Sequence, residues 1–188
     1  MNQDPNRKFE EITLRTEPIF QGQIISLQVD TVRLPDGREA TREIVKHPGA
    51  VAVLALLGDK EKMLVVEQYR KPLNKSQVEI PAGKLDPGED PMDAARRELE
   101  EETGYRCASL RHLSSFYTSP GFADELLHLY IAEGLERGQA NPDDDEFLEC
   151  SAITLEEAER LIREAHISDA KTVLAVYAWK LYKLSGAL

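Results

Sequence analysis

Cysteine is scarce in this sequence, with only Cys107 and Cys150 among 188 residues. The two lie far apart and have no Cys or His at zinc-ligand spacing. That excludes a disulfide framework and a metal knuckle, and leaves reduced thiols used in packing. Positive charge is also short. The 34 Asp and Glu exceed the 23 Lys and Arg by 11, and a net charge of −11 repels a phosphate backbone unless the site is locally basic or metal-loaded. Nucleic acid is therefore not an expected partner. No stretch approaches the roughly 18 apolar residues of a membrane span, so no membrane partner is expected either. Met1 to Lys8 lacks the apolar centre of a signal peptide, and a cytoplasmic protein is expected. Repeats and low-complexity segments are missing too. What is present, 41% hydrophobic and 30% charged residues, is too apolar for a disordered chain and predicts one compact unit with room for an appendage.

Short elements joined by Pro and Gly turns predict a mixed α and β domain. Gln23 to Val32 and Glu39 to Val45 flank Pro35-Asp36-Gly37, where Pro presets φ and Gly accepts a positive φ; a hairpin is expected. Val51 to Leu57 and Met63 to Tyr69 have strand length and buried composition, and are expected to pair with each other. Further strands are expected around Ser109 to Thr118, Leu126 to Ala132 and Phe147 to Ile153. Three helices have visible starts: Asp90-Pro91, ending at Gly104; Thr154-Leu155-Glu156-Glu157, a capping-box pattern running to about His166; and Ser168-Asp169. In the third, Val173, Leu174, Tyr177, Leu181 and Leu184 recur at helical spacing and are expected to be core. The more polar first 47 residues are expected to form a segment of their own, bounded near His47-Pro48-Gly49.

The chemistry lies in Arg97-Glu98-Leu99-Glu100-Glu101-Glu102-Thr103-Gly104. Glu98 repels Glu101 and Glu102 at i,i+3 and i,i+4, each pair costing about 0.2 to 0.5 kcal/mol, and carboxylates in a last turn oppose the helix dipole. An acidic run of this kind is ordinarily a solvated helix face. Here Met92, Ala95 and Leu99 fall on one side and Arg96 with Glu100 on the opposite side, which leaves Glu98, Glu101 and Glu102 beside the buried face. Such a cluster stays ionised only with a cation on it. Oxygen ligands without His or Cys suggest Mg²⁺, with Mn²⁺ as a substitute, and an ion that takes its remaining ligands from phosphate.

From Gly83 the chain reads Gly83, five residues, Glu89, seven residues, Arg97-Glu98-Leu99, one residue, Glu101-Glu102, one residue, Gly104-Tyr105. This resembles the complete signature of the Nudix hydrolases, with Tyr105 where an aliphatic residue is more usual. The resemblance implies an α+β fold in which a mixed β-sheet is sandwiched between helices (α/β/α), preceded by an N-terminal antiparallel β segment over residues 1–47, with the catalytic domain over 48–188. It implies that Glu98 and Glu102 are the principal metal ligands, that Glu101 is a further ligand or positions the catalytic water, and that the carbonyl of Ala82 is also a ligand. Arg97 either steadies Glu101 or forms a surface pair. Glu89 braces the loop, Gly83 lets the backbone come close, and Gly104 ends the helix.

Ser119-Pro120-Gly121-Phe122 and Glu67-Gln68-Tyr69-Arg70 resemble segments of the ADP-ribose pyrophosphatase branch, which implies substrate contacts at Arg70, Pro120 and Gly121. Taken alone, Pro120-Gly121 reads as an ordinary turn and Arg70 as a surface residue. Asn141 to Glu149 taken alone reads as an acidic surface loop, but in that branch a loop at this place supplies an acid that activates water or completes the metal shell; Glu146 is the first candidate for general base and Asp144 the second. The expected reaction is Mg²⁺-dependent cleavage of ADP-ribose to AMP and ribose 5-phosphate. The alternatives are another nucleoside diphosphate sugar such as GDP-mannose, or a non-catalytic domain that senses ADP-ribose. The branch also implies a homodimer, with Phe20 stacking on the base or serving as core, and Arg42 and Glu43 making polar contacts. The four histidines show no ligand spacing.

Overall fold

A computed structural model describes residues 8–58, 60–139 and 147–186. The chain divides into two compact units, Met1–Gly49 with Tyr117–Leu126, and Ala50–Phe116 with Leu127–Leu188.

The first unit is a three-stranded antiparallel sheet in the order β1 (Ile12–Gln21), β2 (Ser26–Arg33), β3 (Glu39–Lys46). The expected hairpin is β2 and β3, in register from Ser26 opposite Lys46 to Arg33 opposite Glu39. Its turn closes through Leu34 N–H to the Arg38 carbonyl at 2.8 Å, and the Asp36 carboxylate accepts from Arg38 N–H at 3.1 Å. Strand β1 adds a third strand to the expected hairpin within the N-terminal β segment. It holds Pro18, which lacks a ladder N–H and ordinarily marks an edge. The register of β1 against β2 shifts between Thr13 and Arg15 and again between Pro18 and Phe20, so no clean alternation is visible along it.

The second unit contains β4 (Ala50–Ala55), β5 (Lys62–Arg70), β6 (Lys75–Glu79), β7 (Ala82–Lys84), α1 (Pro91–Thr103), β8 (Tyr105–Tyr117), β9 (Leu126–Arg137), β10 (Leu148–Thr154), α2 (Leu155–Arg163) and α3 (Ala170–Ser185). A mixed four-stranded sheet runs β7-β4-β9-β8, with β4 parallel to β9 and antiparallel to β7. Its central strand β4 is buried along its whole length, which is why that stretch reads as an unbroken apolar run. Val51, Val53 and Ala55 join Tyr130 and Ala132 in packing against Ala94, Ala95 and Leu99 of α1. Ala52 and Leu54 join Leu129 and Ile131 in packing against Ala158 of α2 and Ala175, Val176 and Trp179 of α3. The mixed sheet is therefore sandwiched between helices, as expected. A second, antiparallel sheet runs β10-β5-β6.

Three details depart from expectation. Strands β4 and β5 belong to different sheets, joined by a bridge of Leu56 with Met63, because β9 and β7 flank β4 while β10 and β6 flank β5. Of the stripe on α3 only Val173 packs against the core, while Leu174, Tyr177, Leu181 and Leu184 are 40% to 77% exposed. The helix instead buries Thr172, Ala175, Val176 and Trp179, where a small Ala lets the backbone come close and Trp179 fills the space, its indole N–H donating to the Lys60 carbonyl at 3.1 Å. Met92 is likewise 38% exposed, and Ala94 takes its place beside Ala95 and Leu99. Among the described residues no helix is long and apolar enough to cross a membrane.

Candidate active site

Helix α1 begins and ends where its caps dictate. The Asp90 carboxylate accepts from Met92 N–H at 2.8 Å, Pro91 occupies the first turn, and Gly104 adopts the left-handed region at φ 71° to close the last turn with an N–H bond to Glu100. Ala94, Ala95 and Leu99 fix the rotation of the helix on the sheet, and that rotation sets where its acids point. Glu102, 1% exposed, accepts from Ala82 N–H at 3.0 Å. Glu98 lies against Gly83 so closely that a Cβ there would fall 2.0 Å from its carboxyl carbon. A side chain there would have to displace the Glu98 carboxylate, so with glycine in place strand β7 and the acidic turn of α1 meet backbone to carboxylate.

Arg97 ties the remaining acids together. Its Nε and Nη2 donate to the two oxygens of Glu89, both at 2.9 Å, and Nη1 donates to Glu98 at 2.7 Å and Glu101 at 3.0 Å. Nη2 also reaches the Lys84 carbonyl at 3.3 Å. Glu89 in turn accepts from Asp86 N–H at 3.1 Å, so it closes the loop before α1 as well as holding Arg97. These bonds from Arg97 hold the Glu89 carboxyl below the usual carboxylate range, against a smaller opposing effect of burial. The guanidinium itself is pushed up, first by Glu89.

Arg70, at the end of β5, makes a two-point pair with Glu79: Nε to Oε1 at 2.8 Å and Nη2 to Oε2 at 2.7 Å. Glu79 is 2% exposed and also takes Lys171, which reaches Asp169 at 2.9 Å. Burial alone would push the Glu79 carboxyl up. The hydrogen bond from Arg70 and the charge of Lys171 outweigh it and hold the group at about 2. Glu79, Lys171 and Asp169 shape this corner; of these only Asp169 is marked in the sequence, as the start of α3. Gln77 and Glu79, on one face of a short strand, are both buried.

The other sequence-derived residues lie in the first unit. Phe20 on β1 is 56% exposed and not core. Arg42 on β3 pairs with Glu11 through two nitrogens, Nε at 2.9 Å, and Glu43 beside it is exposed. Pro120 and Gly121 sit in a turn closed by Phe122 N–H and Ala123 N–H to the Ser119 carbonyl. That turn is fastened to β3 by Val45 N–H to Phe122 O at 2.8 Å and Asp124 N–H to Val45 O at 3.1 Å. The Asp124 carboxylate accepts from His47 N–H at 2.9 Å and pairs with Lys46. Glu146 and Asp144 lie outside the described residues.

Chemically, the donors around Gly83 suit a hard divalent ion. Glu98 lies against Gly83, Glu102 accepts from Ala82 N–H, and Arg97 links Glu101 to Glu98, so the acids gathered here offer oxygen alone. Among the described residues no three His, Cys, Asp or Glu side chains converge on one point as a metal group. Glu98 and Glu101 are here turned to Arg97.

Comparison with known proteins agrees with this architecture. A family model described as the NUDIX domain matches residues 46–176, and one described as the nucleoside diphosphate sugar hydrolase N-terminal domain matches residues 11–45. The chain is 58% identical over 170 residues to the methanol dehydrogenase activator of Bacillus methanolicus, covering 89% of this chain and 91% of that one. It is 51% identical over 172 residues to the ADP-ribose pyrophosphatase of Bacillus subtilis (strain 168), covering 90% and 92%. The crystal structure of an ADP compounds hydrolase superposes with a TM-score of 0.82 over 95% of this chain and 97% of that one, at 19% identity, which speaks to the fold. With a family model spanning most of the chain and relatives alike over nearly their full length, the protein belongs to the Nudix family.

Proposed function

We propose that this chain is a hydrolase of nucleoside diphosphate sugars that cleaves ADP-ribose to AMP and ribose 5-phosphate with Mg²⁺. The observation that carries the chemistry is the close seating of the acidic turn of α1 against Gly83 and Ala82. The substrate rests on the 51% identity to an ADP-ribose pyrophosphatase. Glu98, Glu101, Glu102 and the Ala82 carbonyl would hold the divalent ion, which supplies charge neutralisation at the diphosphate and a more acidic bound water. Arg97, braced by Glu89, orients Glu98 and Glu101. Arg70, with Nε and Nη2 committed to Glu79, would offer Nη1 to a substrate phosphate, and Lys171 adds a second positive charge to offset an acidic protein. Glu146 would take the proton of the attacking water. The oxygen then adds in line to one phosphorus while the phosphate across the bridging oxygen leaves.

In this reading residues 48–188 carry catalysis, and residues 1–47 carry base recognition and a homodimer contact. Ile12, Leu14, Ile19 and Phe20, all exposed along β1, support such a contact, and Phe20, Arg42 and Glu43 would meet the base. Two unpaired, half-buried thiols agree with a reducing compartment such as the cytoplasm. The deciding experiment is steady-state hydrolysis of ADP-ribose, GDP-mannose and a nucleoside triphosphate at equal concentration with Mg²⁺, with products identified. Fastest release of AMP and ribose 5-phosphate from ADP-ribose is expected. Preference for another substrate would overturn the specificity and spare the metal chemistry, and binding without turnover would overturn both in favour of a sensor.

A further inference from the structure

His112 and His128 are far apart in sequence, yet β8 and β9, neighbours in the four-stranded sheet, bring their rings together. His112 Nε2 lies 2.8 Å from Ser115 Oγ, and the same Oγ lies 2.8 Å from His128 Nδ1. The ring centroids are 6.4 Å apart. Strict alternation along β8 would put Ser115 on the opposite face from His112. Leu113 and Phe116, also an odd number of residues apart, both pack into the core on the α2 and α3 side, so the alternation breaks between them. An irregularity of that kind re-aims a side chain, here bringing Ser115 between the two imidazoles. Tyr130, 5% exposed, meets the His112 ring edge-on at 5.5 Å and restrains its plane.

Two ring nitrogens thus converge on one atom. A hydroxyl has a single proton, so Ser115 satisfies both rings only when one of them carries its proton on the inward nitrogen. In the other pairing of neutral tautomers two lone pairs face the same point, an arrangement that a cation satisfies and a hydroxyl does not.

We propose that His112, His128 and Ser115 form a site for a borderline transition-metal ion such as Zn²⁺ or Cu²⁺, with the two imidazole nitrogens as its principal ligands. With Ser115 turned aside or serving as a weak third ligand, each nitrogen needs to close by under about 1 Å to reach a bond of about 2.0–2.1 Å. Water fills the remaining positions, so the ion is exchangeable. The ligand chemistry separates this site from the acids of α1: imidazole selects Zn, Cu and Ni, whereas carboxylates select Mg. In the sheet His128 stands two strands from Gly83, both being in register with Val51 of β4, and His112 lies one strand further out on β8. The proposal does not depend on the hydrolase reading. A bound ion would fasten β8 to β9 and stabilise the folded chain by simple linkage.

The test uses the full chain, stripped with chelator and then held in excess Mg²⁺ to occupy the acids. Zn²⁺ is titrated by calorimetry, and Cu²⁺ is followed by electron paramagnetic resonance. One ion per chain is expected, with copper hyperfine splitting from two nitrogens and a rise in the thermal midpoint with Zn²⁺. His112→Ala and His128→Ala should each weaken binding by more than about tenfold and abolish that rise. Ser115→Ala should keep the two-nitrogen pattern, and Glu102→Gln should bind as the parent does. His112→Gln, which keeps a polar side chain against Tyr130, covers the case in which the alanine variant folds poorly. Parent-like binding in both histidine variants, or no saturable binding in the parent, overturns the site.

Discussion

Arg70 and Arg42 make the same bond in two different settings. Each grips a glutamate with two nitrogens, Arg70 on Glu79 in the second unit and Arg42 on Glu11 in the first. Their own side chains are similarly open, 38% and 43% exposed; the partners are not, at 2% for Glu79 and 32% for Glu11. Glu79 also receives Lys171, whereas Glu11 sits near solvent that screens and competes. Local geometry therefore says little about what an ion pair contributes. The burial of the acceptor decides whether the arginine is fixed by the fold or is free to exchange its partner for a ligand.

That contrast can be broken most sharply at Glu79. Glu79→Gln removes the charge between Arg70 and Lys171 while keeping the shape, and should lower unfolding free energy by about 3 kcal/mol or more, measured by urea titration. The same carboxylate makes a pH prediction with a definite sign. Because its folded-state value is depressed from 4.5 to about 2, its contribution is complete above the unfolded value and is lost as pH falls from there through about 2. The shift corresponds to a loss on the order of 3 kcal/mol, seen as a steeper fall of the urea midpoint below about pH 4.5 in the parent than in Glu79→Gln. Glu102→Gln tests function where Glu79→Gln tests the frame: turnover should drop by more than about tenfold, at least 1.4 kcal/mol in barrier, with the melting point retained at saturating Mg²⁺. Arg42→Ala should leave the melting point within error, and its effect, if the residue meets the base, is a higher KM with kcat unchanged. A large loss of stability there would erase the distinction between the two arginines.

The acidic helix was legible because the devices that start it, stop it and pair its charges are local, although its seating on the sheet is not. Asp90, Pro91 and Gly104 mark its ends, and Arg97 stands one turn from Glu101. Thr154 and Glu157 announce α2 in the same way, through the reciprocal bonds of 3.2 and 2.8 Å now seen. What escaped was non-local. A buried Glu79 breaks the apolar pattern that signals a core strand, and its partner Lys171 is 92 residues away. The apolar stripe of α3 misled because spacing shows that a helix has an apolar side, not that another element covers it; Ala175 and Trp179 define the side that is covered. The pairing of β4 with β9 rather than β5 was hidden for the same reason, since two apolar runs separated by a short loop suggest neighbours, and only the completed sheet reveals the crossover.

Trp179 gives the molecule a built-in spectroscopic label. It is the sole tryptophan, it is fully buried, and its indole N–H is bonded to a backbone carbonyl, so its emission should be blue-shifted in the folded state and move to the red when the core of α3 opens. All of that signal originates in the second unit, while the three-stranded sheet of the first is dark at the same wavelength. Fluorescence therefore follows the second unit alone and circular dichroism follows both, so superimposing the two melting curves reads out the cooperativity between the units without any added probe.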